Sequence, residues 1–128
     1  MKSFEEFLKE ELLLESPNIP QSDSGIPCIV YIGADPLTKH NKPRVKIQNN
    51  YSTKVTNDFV PFSIPETDDE EPVQLSGDKL NISKKDMRVV LYWIKDQRKV
   101  LLDLWWKRIE AGDARTIIRA SKQKYANL

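Results

Sequence analysis

Residue types that could perform nucleophilic, acid–base or metal chemistry are scarce in this sequence of 128 residues. It contains one histidine, His40, and one cysteine, Cys28. His40 has no second histidine, no cysteine cluster and no paired carboxylates close by that would make a metal site. Cys28 lies in the apolar run 26–30, which favours a small buried hydrophobic residue over a reactive thiol. A lone cysteine also excludes an internal disulfide and fits a reducing, intracellular setting.

Sequence motifs for phosphate binding and nucleophilic catalysis are missing as well. No Gly-x-Gly-x-x-Gly, Walker A or Gly-x-Ser-x-Gly segment occurs, and the chain has only four glycines. The carboxylates in residues 66–71 lack the alternate spacing and the glycine of a calcium loop, so they predict a solvated acidic loop. We therefore expect no catalytic residues, no bound metal, no cofactor and no enzymatic activity.

Charge is segregated along the chain, although the formal net charge is only +1. Residues 1–17 and 66–71 are acidic, whereas residues 39–54 and 84–128 are basic. Such segments attract one another and also offer charged patches to partners. No apolar run approaches the roughly 20 residues that span a bilayer, and glutamates interrupt the N-terminus where a secretory signal needs an apolar core. We therefore expect no membrane partner.

The basic segment 39–54 contains the candidate nucleic-acid contacts. It carries no acidic residue, and Tyr51 lies near its basic side chains. The side chains that could track a phosphate backbone are Lys39, Lys42, Arg44 and Lys46. Alternatively, these charges balance the acidic segments within the molecule, which the near-neutral net charge favours.

The first residues predict a short amphipathic helix over 3–15. Ser3 can cap it, and Glu6 follows at the spacing of a capping box. Such a short helix is marginal alone, so its apolar face must pack on this domain's core or on another protein. The candidate protein contacts on that face are Phe4, Phe7 and Leu8. Residues 17–25 begin with Pro17, contain Pro20 and predict a polar linker.

Residues 26–64 predict a small antiparallel sheet of about four strands. The predicted strands are 26–32, 44–48, 51–56 and 59–64. Pro61 cannot donate to a strand ladder, so the last strand is expected at an edge.

A long helix over residues 84–111 is the clearest prediction. Ser83 has the character of an N-cap, and Gly112 that of the residue that ends a helix. The helix has a wider apolar surface than one sheet face usually covers, so it either packs deeply or contributes an interface. Two tryptophans on it, Trp93 and Trp106, are candidate protein contacts. Packing of Trp106 under the C-terminal segment is the alternative.

These elements predict an α+β fold: a small antiparallel sheet of about four strands packed on one long C-terminal helix, with short N- and C-terminal helices. The predicted organisation is an N-terminal amphipathic helix over 1–16, a linker over 17–25, an α+β domain over 26–112 and a basic C-terminal helix over 113–128.

Residues 1–10, Met-Lys-Ser-Phe-Glu-Glu-Phe-Leu-Lys-Glu, resemble the head-targeting leader of T-even-type phage internal proteins. Those proteins begin Met-Lys-Thr-Tyr-x-Glu-Phe-Ile-x-Glu. In that group the leader directs a protein into the prohead, and a phage protease cuts after a Leu/Ile-x-Glu triplet. The resemblance therefore implies possible cleavage after Glu10 or Glu15, each of which ends such a triplet.

Residues 26–112 resemble a family of small bacterial and phage domains of unknown function. That family carries His-Asn-Pro-Pro-His-Phe-His after its first strand and ends in a tryptophan-containing helix. Here residues 40–46 read His-Asn-Lys-Pro-Arg-Val-Lys, and residues 87–93 read Met-Arg-Val-Val-Leu-Tyr-Trp. Arg44 and Lys46 stand where the family has its later histidines, so the resemblance implies the fold rather than a metal or acid–base role.

Together these features predict a phage virion-associated structural or accessory protein that acts by protein–protein binding, in the virion or the host cytoplasm. Its partner would be a phage structural protein or a second copy of this chain. One alternative is a nucleic-acid-binding regulatory module that uses residues 39–54. Another is an inhibitor of a host enzyme or defence protein.

Overall fold

A computed structural model describes Ser3, residues 18–32, residues 42–126 and Leu128. Four strands precede the main helices: β1 (Asn18–Ile19), β2 (Val30–Tyr31), β3 (Arg44–Gln48) and β4 (Phe59–Ser63). A short helix, α1 (Gln21–Ser24), lies between β1 and β2. The later helices are α2 (Lys84–Asp96), α3 (Arg98–Trp105) and α4 (Ala111–Ala120), followed by a 3₁₀ turn (Lys122–Tyr125).

The strands form one antiparallel sheet in the order β1-β2-β3-β4. In β3, the buried Val45 and Ile47 alternate with Arg44 and Lys46, so one face of the sheet is apolar and the other is polar. The apolar face packs on the helices in one hydrophobic core that includes Trp93. The predicted α+β class with four antiparallel strands is therefore confirmed.

One of the four predicted strands is wrong, and the predicted strand 26–32 is shortened to β2 at Val30–Tyr31. Residues 51–56, predicted as a strand, form none. The sheet instead contains β1, which lies within the segment 17–25 that was predicted to be a linker. Ile19 is fully buried and Asp23 nearly so. The segment 17–25 therefore packs into the domain and is not a linker. β4 is the last of the four strands, as predicted, but it is not a free edge, because the N–H of Ser63 and the carbonyl of Pro61 bond to Val73 and Leu75 on its outer side.

The predicted single helix over 84–111 is two helices, and this prediction is wrong. The α-helix pattern is interrupted at Gln97, whose buried side chain donates to Ser121 Oγ and to the Tyr125 hydroxyl, both at 2.7 Å. Ser83 caps α2 as predicted, since its Oγ accepts from the N–H of Asp86 at 3.1 Å.

Gly112 does not end a helix. The chain leaves α3 at Trp106 and Lys107, where Lys107 takes the left-handed conformation (φ 57°) that glycine usually supplies. Gly112 instead lies in the first turn of α4, whose N-cap is Glu110. The broad apolar surface of α2 and α3 packs in one core with residues of the sheet and of α4 and with Tyr125.

The C-terminal helix is not a free basic surface. Arg115 and Arg119 of α4 both bind the Asp23 carboxylate, at 2.6 and 2.9 Å from Nε. Lys124 binds Asp96 at 3.0 Å. Arg115 and Arg119 therefore join α4 to α1, and Lys124 joins the C-terminal turn to α2. Among the described helices, none is long and apolar enough to cross a bilayer.

Candidate binding site on the outer face of the sheet

The sheet face turned away from the helices carries the candidate site. Strand pairing places Tyr31 opposite Lys46 and Lys46 opposite Pro61, so three strands contribute to one surface. Between them lies a groove of about 520 Å³, which we call the outer groove. Its strand side chains are Tyr31, Arg44, Lys46, Phe59 and Pro61, and its wall is residues 55–57.

Two aromatic rings meet across β3 in this groove. The centroids of Tyr31 and Phe59 are 5.9 Å apart, with an interplanar angle of 62°, an edge-to-face pair. The Nζ of Lys46 lies 5.7 Å from the Tyr31 centroid, within cation–π range. The rings and the ammonium group therefore present π faces and positive charge to the same space.

Arg44 has a hydrogen-bond donor without a described acceptor. Its Nε is buried and donates to no acceptor in the described part of the chain. Neither Arg44 nor Lys46 forms an ion pair with a described carboxylate. A buried donor without an acceptor costs free energy, so a ligand that supplies an acceptor would be favoured.

The loop wall of the groove is held by two glutamine side chains. Gln48 is fully buried; its Nε2 donates to the carbonyl of Lys54 at 3.0 Å, and its Oε1 accepts from the N–H of Thr56 at 2.8 Å. Gln21 donates to the carbonyl of Ser52 at 2.9 Å. The wall is thus organised before any ligand arrives. Sequence reasoning missed the role of both glutamines; the Asn49-Asn50 turn was a local signal for Gln48, and Gln21 had none.

The predicted basic residues do not form one cluster. Arg44 and Lys46 lie together in the outer groove, whereas the exposed Lys42 lines a different groove beside Glu66 and Glu70. Tyr51 is in neither groove: its hydroxyl donates to Asp86 at 2.5 Å and accepts from the N–H of Ser83 at 2.8 Å. Its role here is to hold the start of α2.

Trp93, predicted as a protein contact, is fully buried, and that prediction is wrong. Its helix face meets the sheet, so the side chain belongs to the core. Trp106 is 51% exposed and is the one of the two that a partner can reach. The remaining predicted site residues lie outside the described residues: Phe4, Phe7, Leu8, Glu10, Glu15 and Lys39. His40 also lies outside them, and so does the helix predicted over 3–15 apart from Ser3.

Two observations concern groups that could react or bind metal. Cys28 is fully buried, and burial, with a smaller contribution from the charge of Asp86, raises the pKa of its thiol to about 11. The thiol is therefore un-ionised at neutral pH. Among the described residues, no group of three or more His, Cys, Asp or Glu side chains could hold a metal ion.

Comparisons of the chain with protein-family models, with curated proteins and with solved structures gave no match. The chemistry of the outer groove is therefore the main basis for assigning a function. Aromatic rings beside unpaired basic side chains on an open antiparallel sheet suit a ligand that has both a flat ring and a negative charge.

Proposed function

We propose that this protein is a non-enzymatic, single-stranded nucleic-acid-binding module and that the outer groove is its binding site. The observation that carries the proposal is the joint placement of Arg44 and Lys46, both without a described ion-pair partner, beside the rings of Tyr31 and Phe59. Stacking on an aromatic ring does not depend on base identity, so the module binds with little sequence preference.

The division of labour within the groove follows from the side chains. Phe59 offers a ring on which a base stacks, a contact of about 1–3 kcal/mol per base. Arg44 presents a planar donor group suited to a phosphate, and its Nε gains the acceptor it lacks. Lys46 contributes a point charge held near the Tyr31 ring.

A single strand fits this groove better than a duplex. In a duplex the base faces are stacked on each other and are not offered to Tyr31 or Phe59. The wall formed by residues 55–57 also narrows the approach to the sheet. Beyond β4 the surface is acidic, with Glu66 and Glu70 in the neighbouring groove. The bound tract is therefore short, of about four nucleotides, the lower end for single-module sites.

Charge reversal in the outer groove tests this proposal. We expect Arg44→Glu with Lys46→Glu to weaken binding of a fluorescent oligo(dT) or oligo(U) by at least about tenfold and to lower the salt slope by about 1.4, since each phosphate contact with a single strand contributes about 0.7. Phe59→Ala should weaken binding at every salt concentration, because it removes stacking and no charge. Fluorescence anisotropy at several salt concentrations measures both effects.

Lys84→Glu with Lys85→Glu is the matched control, because it reverses two exposed charges in the first turn of α2, where acidic residues are compatible with the helix dipole. It should leave the affinity within about twofold of the wild type, apart from a general effect of net charge. Equal losses in the two double variants, or equal affinity for single strand and duplex, would contradict a site in the outer groove.

A second function, as a phage virion-associated structural or accessory protein, is favoured by a different observation. Trp106 is half exposed at the end of α3 and the exposed Arg108 follows two residues later; tryptophan and arginine are both enriched among the residues that dominate protein interfaces. The leader-like residues 1–10 support a place in a phage particle. Under this proposal a phage structural protein is the partner; an inhibitor of a host protein would use the same tryptophan.

Mass spectrometry of purified particles, from a phage that encodes this chain, tests the second function. We expect the chain in the particles, either in full length or cut after Glu10 or Glu15. Trp106→Ala should lower its copy number, whereas Ile117→Ala, which trims another half-exposed apolar side chain, should not. Particles that lack the chain in every form would exclude this function.

A further inference from the structure

A second groove lies on the same sheet face, beyond β4. It has a volume of about 400 Å³ and we call it the acidic groove. Its lining includes Lys42, Ser63, Glu66, Glu70, Val73 and Leu75. The groove combines an apolar floor with carboxylates at its rim, and none of the residues that line the outer groove lines it.

The carboxylates at this rim are only partly neutralised. Glu71, which also lines the groove, pairs with Lys95 of α2, and Asp68, in the same loop but not in the groove lining, pairs with Arg98 of α3. Glu66 and Glu70 form no ion pair with any described cation, although Lys42 lines the same groove. Glu70 is held in place because its Oε2 accepts from the N–H of Glu66 at 3.2 Å. The rim therefore offers fixed negative charge to a ligand.

The floor of the groove ends in an open strand edge. Ser63 N–H donates to the carbonyl of Val73, and Leu75 N–H donates to the carbonyl of Pro61, both at 2.9 Å. Because hydrogen-bonding groups alternate in direction along a strand, the backbone N–H and carbonyl of Gln74 point away from β4. Neither has a described hydrogen-bond partner. The flanking side chains of Val73 and Leu75 are 56% and 40% exposed.

We propose that the acidic groove binds an extended basic segment of a partner protein, in which Lys or Arg alternates with apolar residues. The segment pairs with Gln74 as an added strand and places its apolar side chains on Val73 and Leu75. Its terminal Lys or Arg, beyond the paired residue, lies near Glu66 and Glu70 of the loop that precedes Val73. The negative rim repels nucleic acid, so the ligand is a peptide.

A second copy of this chain does not supply that segment from its described residues. Its own basic and apolar alternation, Arg44-Val45-Lys46-Ile47, is the interior strand β3, which is paired on both sides. Exposing it would require breaking the sheet. The proposed occupant is a different protein, and dimerisation of this chain is the result that would contradict it. The site is independent of the proposed nucleic-acid function.

Titration of the ¹⁵N-labelled full chain with a capped Lys-Val-Lys-Val-Lys-Val-Lys peptide tests this inference. We expect saturable amide shifts at Val73, Gln74 and Leu75, and none with the matching Glu-Val peptide. Glu66→Lys with Glu70→Lys should weaken binding by about tenfold, whereas Asp78→Lys, an exposed acid outside both grooves, should not.

Substitution at the edge separates strand pairing from simple charge attraction. Gln74→Pro removes the outward N–H and should abolish the shifts at Val73 and Leu75, while Gln74→Ala keeps that N–H and should retain binding. Both variants lose the side-chain bonds from Gln74 to the turn at 76–78, so they are matched in that loss. Equal binding by the two variants, shifts centred on Arg44 and Lys46, or dimerisation in place of peptide binding would overturn the proposal.

Discussion

We expect Asp23→Ala to lower the free energy of unfolding by about 3 kcal/mol, because it removes the carboxylate of a buried ion pair. Asp23 accepts from Arg115 Nε at 2.6 Å and from Arg119 Nε at 2.9 Å. Asp23 and Arg115 are both almost fully buried, so solvent replaces little of the lost interaction. The same contact joins α1 to α4, so its loss also loosens the packing of the first strand. Urea unfolding of the purified chain measures the change.

Asp68→Ala is the matched control for this prediction. It also removes an aspartate that binds an arginine, Arg98, but the Asp68 side chain is 89% exposed. Exposed pairs contribute between about 0 and 1 kcal/mol, so this variant should unfold close to the wild type. Equal destabilisation by the two substitutions would show that the burial of Asp23 is not what gives its ion pair a large effect.

The pH dependence of the free energy of unfolding provides an independent test of the Asp23 ion pair. Burial alone would raise the pKa of the Asp23 carboxyl, but the hydrogen bonds and charges of Arg119 and Arg115 outweigh it and hold the pKa below its ordinary value. The unfolded chain therefore takes up the proton more readily, and the stabilisation is present above about pH 4 and lost as the pH falls through the folded pKa. The gap in stability between wild type and Asp23→Ala should shrink over that interval.

Local patterns in the sequence were sufficient for the features that depend on neighbouring residues. The alternation over Arg44–Gln48 predicts both the strand and its polar face, and Ser83 predicts the start of α2. Pro61 predicts that β4 is the last of the four strands. Each of these depends on side-chain direction or on a cap within one turn. They are therefore visible without knowledge of the fold.

Features set by distant contacts were predicted incorrectly. The segment 17–25 looks like a linker because its stabilising partner, Arg115, lies 92 residues from Asp23. The apolar periodicity continues past Gln97, where the helix is interrupted and the side chain binds Tyr125, 28 residues away. Lys107 occupies a left-handed position that the sequence assigns to Gly112, because tertiary packing outweighs the local preference for glycine there.

In the candidate site, too, features set by neighbouring residues were predicted and features set by distant contacts were not. Arg44 and Lys46 were identifiable as an outward-facing pair, but their neighbours Tyr31 and Phe59 come from other strands and depend on strand order. Trp93 was misassigned because helical periodicity places a side chain on a face without saying how many layers cover that face. In the folded chain Trp93 is fully buried, whereas Trp106 is half exposed.

Gly25→Ala should be another strongly destabilising substitution, with an expected loss of about 3 kcal/mol or more, because a backbone penalty and a steric one coincide. Gly25 has φ 82°, a left-handed conformation that costs an alanine about 1–2 kcal/mol. A methyl group there would also lie 2.2 Å from the carbonyl oxygen of Lys122. The C-terminal turn would have to move away, and the buried Tyr125 with it.

Gly77→Ala separates these two penalties. Gly77 has nearly the same φ, 83°, but its added methyl would lie 3.9 Å from the methyl groups of Val60, at ordinary contact distance. It should therefore cost only the backbone penalty of about 1–2 kcal/mol. The difference between the two variants in urea unfolding then reports the contact between Gly25 and the C-terminal turn. If both substitutions cost the same, the close approach of Gly25 to Lys122 does not contribute to the stability of the folded chain.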